Sequence, residues 1–415
     1  MEYTSSKSFS LSKFIDSFMG IAIALFYFWI LFFAHQEVAV IIGFFLLQLM
    51  YVIFFQQKVV FDISMRLWLT FIAVALFGVV ISGQLTVPII LFLLNLLIGY
   101  FNYSIISKNR TIFNVSIKGL YVVSFFFLMG SLLQFINPEL LTSINQFHLS
   151  DRLFLESASY VYRGYASGFF NQIGTNGYVM SVMLAFVFVN FFKTQNWFRK
   201  IINLILFILL IYIIFMTGKR GFILFNAIII VFLVPFVTKY KYLAPIIIGL
   251  FAILFGWVLL NSEAGQQFII RMQASDISSG RFMLNDIMVN DFSQRPLFGN
   301  GTYTTRAAIL KDTFLEMDGH NIYLQVLREN GLLGFIPLVL FVGFNLFNSI
   351  KKLFDFTKNE SKSKYVVILA VYIQLLFIFW GFTGNPLYDS YPLFLYCISL
   401  AYVKFTELNY STIND

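Results

Sequence analysis

Long apolar runs follow one another along the chain, separated mostly by short polar breaks. A helix needs about 20 predominantly apolar residues to cross the hydrocarbon core of a bilayer. Runs that meet this need fall at roughly 14–33, 38–55, 67–82, 87–103, 119–137, 173–192, 201–217, 221–237, 243–260, 332–350, 365–383 and 390–405. None alternates polar and apolar residues with the period of two that a barrel strand shows. Inside a bilayer every backbone N–H and C=O must be satisfied within the chain, which leaves a helical bundle. The predicted fold class is all-α, a polytopic membrane bundle of about 12 transmembrane helices. Residues 1–415 are expected to form a single integral membrane domain. The first run could pass for a signal peptide, but it is too long for one and no small-x-small cleavage pattern follows.

Composition agrees with the pattern. Apolar residues make up 59% of the chain and charged residues only 12%, with 54 Phe. A soluble domain is about one quarter charged and could not bury that much apolar surface. A cytosolic enzyme, a nucleic-acid binder and a disordered chain are excluded. The single cysteine, Cys397, has no internal disulfide partner, and the three histidines are too scattered for a metal cluster. No metal and no cofactor are expected.

The net charge of +8 reports topology. With the N-terminus inside and the runs alternating, 18 of the 28 Lys and Arg residues fall in inner segments and 10 in outer ones. The 20 acids divide as 7 inside and 13 outside, so +11 inside and −3 outside make up the total. Every inner loop is basic, as the positive-inside rule requires. Both termini are expected in the cytoplasm.

Two outer connections are long, 138–172 and 261–331, and hold 8 of the 10 outer basic residues. Long ordered loops in compact proteins are usually functional. These are rich in Tyr, Phe, Asn, Gln and Asp, which suit the C–H faces and hydroxyl edges of sugars, though an ordinary exposed loop has a similar composition. The other two outer cations, Lys219 and Arg220, sit in the tight turn TGKRGF at the start of a helix. The helix dipole already makes that end positive, so two cations there call for an anion. Snorkelling to lipid phosphates is the alternative. Arg220 is the stronger candidate, because its planar fork matches phosphate oxygens two at a time.

Farther on, SSGRFMLNDIMVNDFSQRPLFGNGTYT reads as a helix that opens on Arg281, after Gly280. Arg295-Pro296 ends it, and a turn follows at Gly299 to Gly301. In MDGHNIYLQVLRENGLLGF, Asn321, Gln325 and Arg328 share one face of a predicted helix over 320–330, and Ile322, Tyr323, Val326 and Leu327 the other. That pattern predicts an amphipathic helix lying against the outer membrane boundary, with a break at Glu329-Asn330-Gly331. His320 opens it as a candidate general base, its pKa lowered by the helix start. His35 and His148 lack such a setting.

GHNIYLQVLRENGLLG resembles the His-Asn-x-x-Leu-x-x-x-x-Glu-x-Gly-x-x-Gly signature of the O-antigen ligase and O-antigen polymerase superfamily. GRFMLNDIMVNDFSQRPLFGNG is similar to the Arg-led segment before it, TGKRGF to the family's Arg-Gly turn, and RGYASGFFNQIGTNGY to its earlier outer-loop motif. The resemblance covers about residues 160–335 and is nearer the polymerase branch, from the lysine at 219 and the aromatic, divergent spans. It implies a GT-C-like, metal-independent membrane glycosyltransferase at the periplasmic face of the bacterial inner membrane. Its donor and acceptor would be undecaprenyl-pyrophosphate-linked glycans, with membrane lipid and a chain-length regulator protein as further partners and no nucleic acid. By position, the resemblance makes His320 catalytic and gives the pyrophosphate to Arg220, Arg281, Lys219 and Arg163. Arg271, Arg295, Asn321, Gln325, Arg328 and Glu329 are the implied substrate contacts, and Arg306 is a looser one. The product would be O-antigen, a capsule or another polysaccharide. A ligase moving polymer to lipid A core is the alternative. A lipid-linked oligosaccharide flippase ranks lower, because the spans hold almost no charge and no inverted repeat is evident.

Overall fold

A computed structural model describes residues 5–33, 37–55, 59–238, 280–314 and 317–409, with isolated positions between 246 and 269. All regular structure among these residues is helical. The helices are α1 (Ser5–Phe32), α2 (Glu37–Phe54), α3 (Ile63–Ser82), α4 (Val87–Lys108), α5 (Arg110–Ile136), α6 (Pro138–His148), α7 (Asp151–Tyr162) and α8 (Ile173–Lys193). Then come α9 (Trp197–Met216), α10 (Arg220–Val237), α11 (Arg281–Gln294), α12 (Thr305–Thr313), α13 (Ile322–Lys358), α14 (Lys364–Gly381) and α15 (Ser390–Leu408).

Nine described helices are long and apolar enough to cross a bilayer, and the shorter apolar Val38–Phe54 accompanies them. Each predicted run from 14–33 to 221–237, and from 332–350 to 390–405, lies on one of the helices α1–α5, α8–α10 and α13–α15. The run 243–260 falls largely outside the described residues. Helix ends depart from the runs. α5 begins at Arg110, before the apolar run, because Asn109 caps it by accepting from Thr111 N at 2.9 Å and Ile112 N at 3.1 Å. Helical hydrogen bonding persists past the hydrocarbon wherever a cap satisfies the first N–H groups.

α8, α14 and α15 form the buried centre; α15 packs along α4, α5 lies on α1 and α13 on α3. Aromatic rings fill the seams, as in the stacked pairs Phe26–Phe44 (centroids 4.1 Å apart) and Trp68–Phe341 (4.6 Å). Other phenylalanines, such as Phe18, Phe77 and Phe347, face outward. The Phe content thus serves both packing and the outer surface.

The described parts of both long connections are folded onto the bundle. In the first, His148 is buried and stacks on Phe32 with centroids 4.0 Å apart, while its Nε2 meets Phe169 O at 2.9 Å. This histidine joins α6 to the turn after α7. Gln134 at the end of α5 ties the same turn, donating from Nε2 to Tyr165 O and accepting from Ser167 N and Gly168 N.

The second connection is anchored where α13 breaks. Gly331 adopts φ 60° and ψ −163°, interrupting the helical ladder. A break frees carbonyls on one side and N–H groups on the other, and both must find partners when buried. The turn after α11 supplies them. Asn300 N donates to Arg328 O and Gly301 N to Glu329 O, each at 2.9 Å. In return Leu332 N donates to Pro296 O at 2.8 Å and Leu333 N to Leu297 O at 3.2 Å. Gly299 and Gly331 have positive φ, and a Cβ at either would collide with the other segment's backbone.

Gly331→Ala is expected to cost roughly 2 kcal/mol or more, from left-handed strain plus that collision. A thermal unfolding midpoint in detergent unchanged from wild type would contradict this.

Candidate active site

Three sequence motifs meet at the ends of α9, α10 and α13. The turn between α9 and α10 holds Gly218 at φ 66°, Lys219 as the cap of α10 and Arg220 as its first residue. The earlier outer-loop motif docks on it: Ala166 N donates to Met216 O at 2.8 Å. A Cβ on Gly218 would lie 2.6 Å from the Tyr165 ring, so only glycine lets the two turns touch. Gly174, at the start of α8, approaches the Lys219 side chain.

Arg281 opens α11 behind Gly280, which has φ 84°. It is half-buried. Burial and the neighbouring Arg220 both disfavour its charge, lowering its pKa. His320 sits at φ 51° in the turn before α13, and Asn321 rather than His320 caps that helix. α11 packs closely on this turn, where a Cβ on Gly319 would lie 2.6 Å from Met288 Sδ. His320 is held below its ordinary pKa chiefly by burial, then by Arg281 and Lys219, with Asp318 opposing. The sequence expectation of a neutral base agrees in direction, but the cause is burial and neighbouring cations rather than the helix start. Arg281 and Lys219 thus act on His320, and Arg220 on Arg281, across three separate chain segments.

The other candidates are placed differently. Asn321 Oδ1 accepts from Tyr323 N at 3.1 Å and Leu324 N at 3.2 Å, so that oxygen is occupied by the helix cap. Arg328 is 4% exposed; its Nε donates to Asp291 Oδ2 at 2.8 Å and its Nη1 to Thr304 Oγ1 at 2.9 Å. Glu329 is fully buried and accepts from Tyr303 N, Thr305 N, Thr305 Oγ1, Gln325 Nε2 and Tyr388 OH. Arg328 and Glu329 thus lace α11, the start of α12 and the α14–α15 connection onto α13. These bonds correct the expected surface helix. The segment 322–330 is buried on its polar side by the loop and on its apolar side near the end of α14, where Tyr323 OH donates to Ile378 O.

Arg163 is exposed at the C-cap of α7, and the turn that follows it is what docks on Met216. Arg295 caps the far end of α11, about 20 Å from Arg281 at 1.5 Å per residue. There it lines an apolar groove of ≈ 440 Å3 with Phe77, Ile81 and Phe298. Arg306 forms a two-point pair with Asp318, Nε to Oδ1 at 3.0 Å and Nη2 to Oδ2 at 2.9 Å. Arg271 lies outside the described residues. Reading the sequence missed Asn385, Tyr388 and Asp389, although GNPLYDSY is a dense polar stretch between two spans.

The architecture and site define a multi-pass helical membrane protein with a folded late loop over one end of the bundle. A family model described as O-Antigen ligase matches residues 204–339. That match covers the later part of α9, all of α10, α11 and α12 and the first part of α13, including Arg220, Arg281 and His320. Over those residues the chain is similar to the O-antigen ligase family. No curated protein matches the chain.

A base whose pKa is depressed stays neutral further into acid. If His320 is the base, activity is retained as pH falls and is lost only below the ordinary histidine value of 6.5. The rate on free enzyme against pH should show this acid limb; a limb centred above 6.5 would contradict the assignment.

Proposed function

We propose that this protein polymerises undecaprenyl-pyrophosphate-linked oligosaccharide repeat units into an O-antigen or capsule-type polysaccharide. The setting is the periplasmic face of a bacterial inner membrane, with both termini cytoplasmic. The observation that carries this reading is the gathering of Arg281, Arg220 and Lys219 beside a histidine held neutral, inside the region that matches the family.

In the transfer step an acceptor hydroxyl oxygen bonds to the anomeric carbon of the donor. The bond from that carbon to the pyrophosphate oxygen breaks, and the pyrophosphate leaves with the electron pair. His320 takes the hydroxyl proton as the new bond forms, since an alcohol is a poor nucleophile until deprotonated. Arg220 and Arg281 stabilise the charge that grows on the departing pyrophosphate. Two half-buried guanidinium groups that repel each other form a site whose repulsion an anion relieves. Arg328 and Glu329 act by holding the loop that carries Arg281 against the turn that carries His320.

The similarity of residues 204–339 to the O-antigen ligase family favours the ligase reading. It uses the same site with lipid A core as acceptor. Deleting the gene separates the two on a lipopolysaccharide gel. Caps of a single repeat unit support the polymerase; loss of all polymer from the core, with lipid-linked polymer accumulating, supports the ligase.

His320→Ala is expected to abolish chain lengthening while the protein inserts and accumulates normally. Normal polymer in that variant would remove His320 from the chemistry. Arg220→Lys is expected to be nearly as damaging as Arg220→Ala, because a point charge does not reproduce the two-point fork. Wild-type polymer in Arg220→Lys would instead indicate simple charge attraction or a lipid contact.

A further inference from the structure

A small cavity beside the His320 turn has a chemistry that the transfer step leaves unused. Its volume is ≈ 40 Å3, little more than one water molecule occupies. Three segments wall it: Tyr303 and Arg306 around the start of α12, Asp318 and Gln325 on either side of His320, and Asn385 and Asp389 from the α14–α15 connection.

Two of these side chains each hold one acceptor with no hydrogen-bond partner. Gln325 Nε2 donates to Glu329 Oε1 at 3.1 Å, which fixes the orientation of the amide. Gln325 Oε1 is then left without a hydrogen-bond partner in a residue only 4% exposed. Asn385 Oδ1, in a residue 7% exposed, likewise has none. A buried acceptor left unmet costs about 1–3 kcal/mol, so two lining one cavity point to a ligand that brings donors.

The surrounding groups narrow the class. Asp318 is engaged at both oxygens by Arg306, and Glu329 already receives five donors. Asp389 is the third carboxylate on the wall, and among the described residues no group of three or more such side chains could hold a metal ion. An anion would meet only acceptors at the orphaned positions. Hydroxyl groups fit, since each donates once and is neutral. Tyr303 and Tyr388 contribute aromatic faces, with ring centroids 5.7 Å apart, and Tyr388 is stacked on Phe92 at 4.9 Å. Such faces suit the C–H side of a sugar ring. The cavity admits one arm of a ring rather than a whole sugar.

We propose that this cavity is the subsite for the hydroxyl groups of the acceptor glycan, with Gln325 Oε1 and Asn385 Oδ1 reading a hydroxymethyl group or a hydroxyl pair. The assignment of the glycan as acceptor rests on the transfer reading above. His320 then lies between two chemistries. Arg281 and Lys219 act on it from the pyrophosphate side, and Asp318 and Gln325 flank it along the chain at the glycan subsite.

The test measures binding apart from turnover. The probe is glycan released by mild acid from the lipid-linked glycan of cells lacking this gene. It is titrated onto the full chain in lipid nanodiscs and followed by saturation-transfer NMR. Wild type should bind. Asn385→Ala and Gln325→Ala should each weaken binding about tenfold, the loss expected for one hydrogen bond to a buried acceptor. A thermal unfolding midpoint close to wild type in both alanine variants separates recognition from misfolding. Arg220→Ala should bind the released glycan as wild type does. Lack of binding by wild type, or unchanged binding by both alanine variants, overturns the subsite. Binding with the expected variant pattern, but without polymer or ligated product from the intact lipid-linked glycan, keeps the subsite and overturns the transfer reading.

Discussion

The Glu329 carboxylate is the interaction on which the loop-bearing end of the molecule depends. It is buried completely and takes hydrogen bonds from the start of α12, from Gln325 one turn earlier and from Tyr388 on the last connection. A buried charge is tolerated only when its lone pairs are filled, so the position enforces the assembly of all three segments. Two residues on, Gly331 breaks the helix, and the freed backbone groups receive the turn after α11. Charge satisfaction and backbone satisfaction thus act within one short stretch of α13 and fix the same loop. Arg328, paired with Asp291, adds the link to α11 itself.

What that anchoring positions is a set of mutually unfavourable groups. Burial and the neighbouring Arg220 lower the pKa of Arg281, and burial, Arg281 and Lys219 lower that of His320. Like charges gather this way only where the scaffold holds them or a ligand repays the cost. Here α11 and α13 are joined by the Arg328–Asp291 pair and by the backbone bonds at the break in α13. The arrangement is preorganised, which is what stabilising a leaving anion requires.

The spans were legible because hydropathy reports them directly. Their ends were not, because capping residues such as Asn109 prolong helices beyond the apolar run. His320, Arg220 and Arg281 were legible as unusual residues at turns, since cations at helix starts need explaining. The framework roles of Arg328 and Glu329 were hidden. Their partners Asp291 and Tyr388 lie 37 and 59 residues away, and helical periodicity carries no information about such contacts. The same periodicity placed the 322–330 helix at the membrane surface, because a polar stripe reads alike whether water or a folded loop covers it. Asn385 was overlooked because the connection before the last helix is short, although its composition is as polar as that of the longer loops.

The central claim is that the anchored loop brings Arg220, Arg281 and His320 around one lipid diphosphate. Its most direct test is a cryo-EM map of the protein in nanodiscs loaded with lipid-linked glycan. The account predicts diphosphate density within hydrogen-bond reach of both guanidinium groups, with the His320 imidazole beside the first sugar. Density for the diphosphate elsewhere, or Arg220 and Arg281 on opposite sides of the bundle, would contradict it.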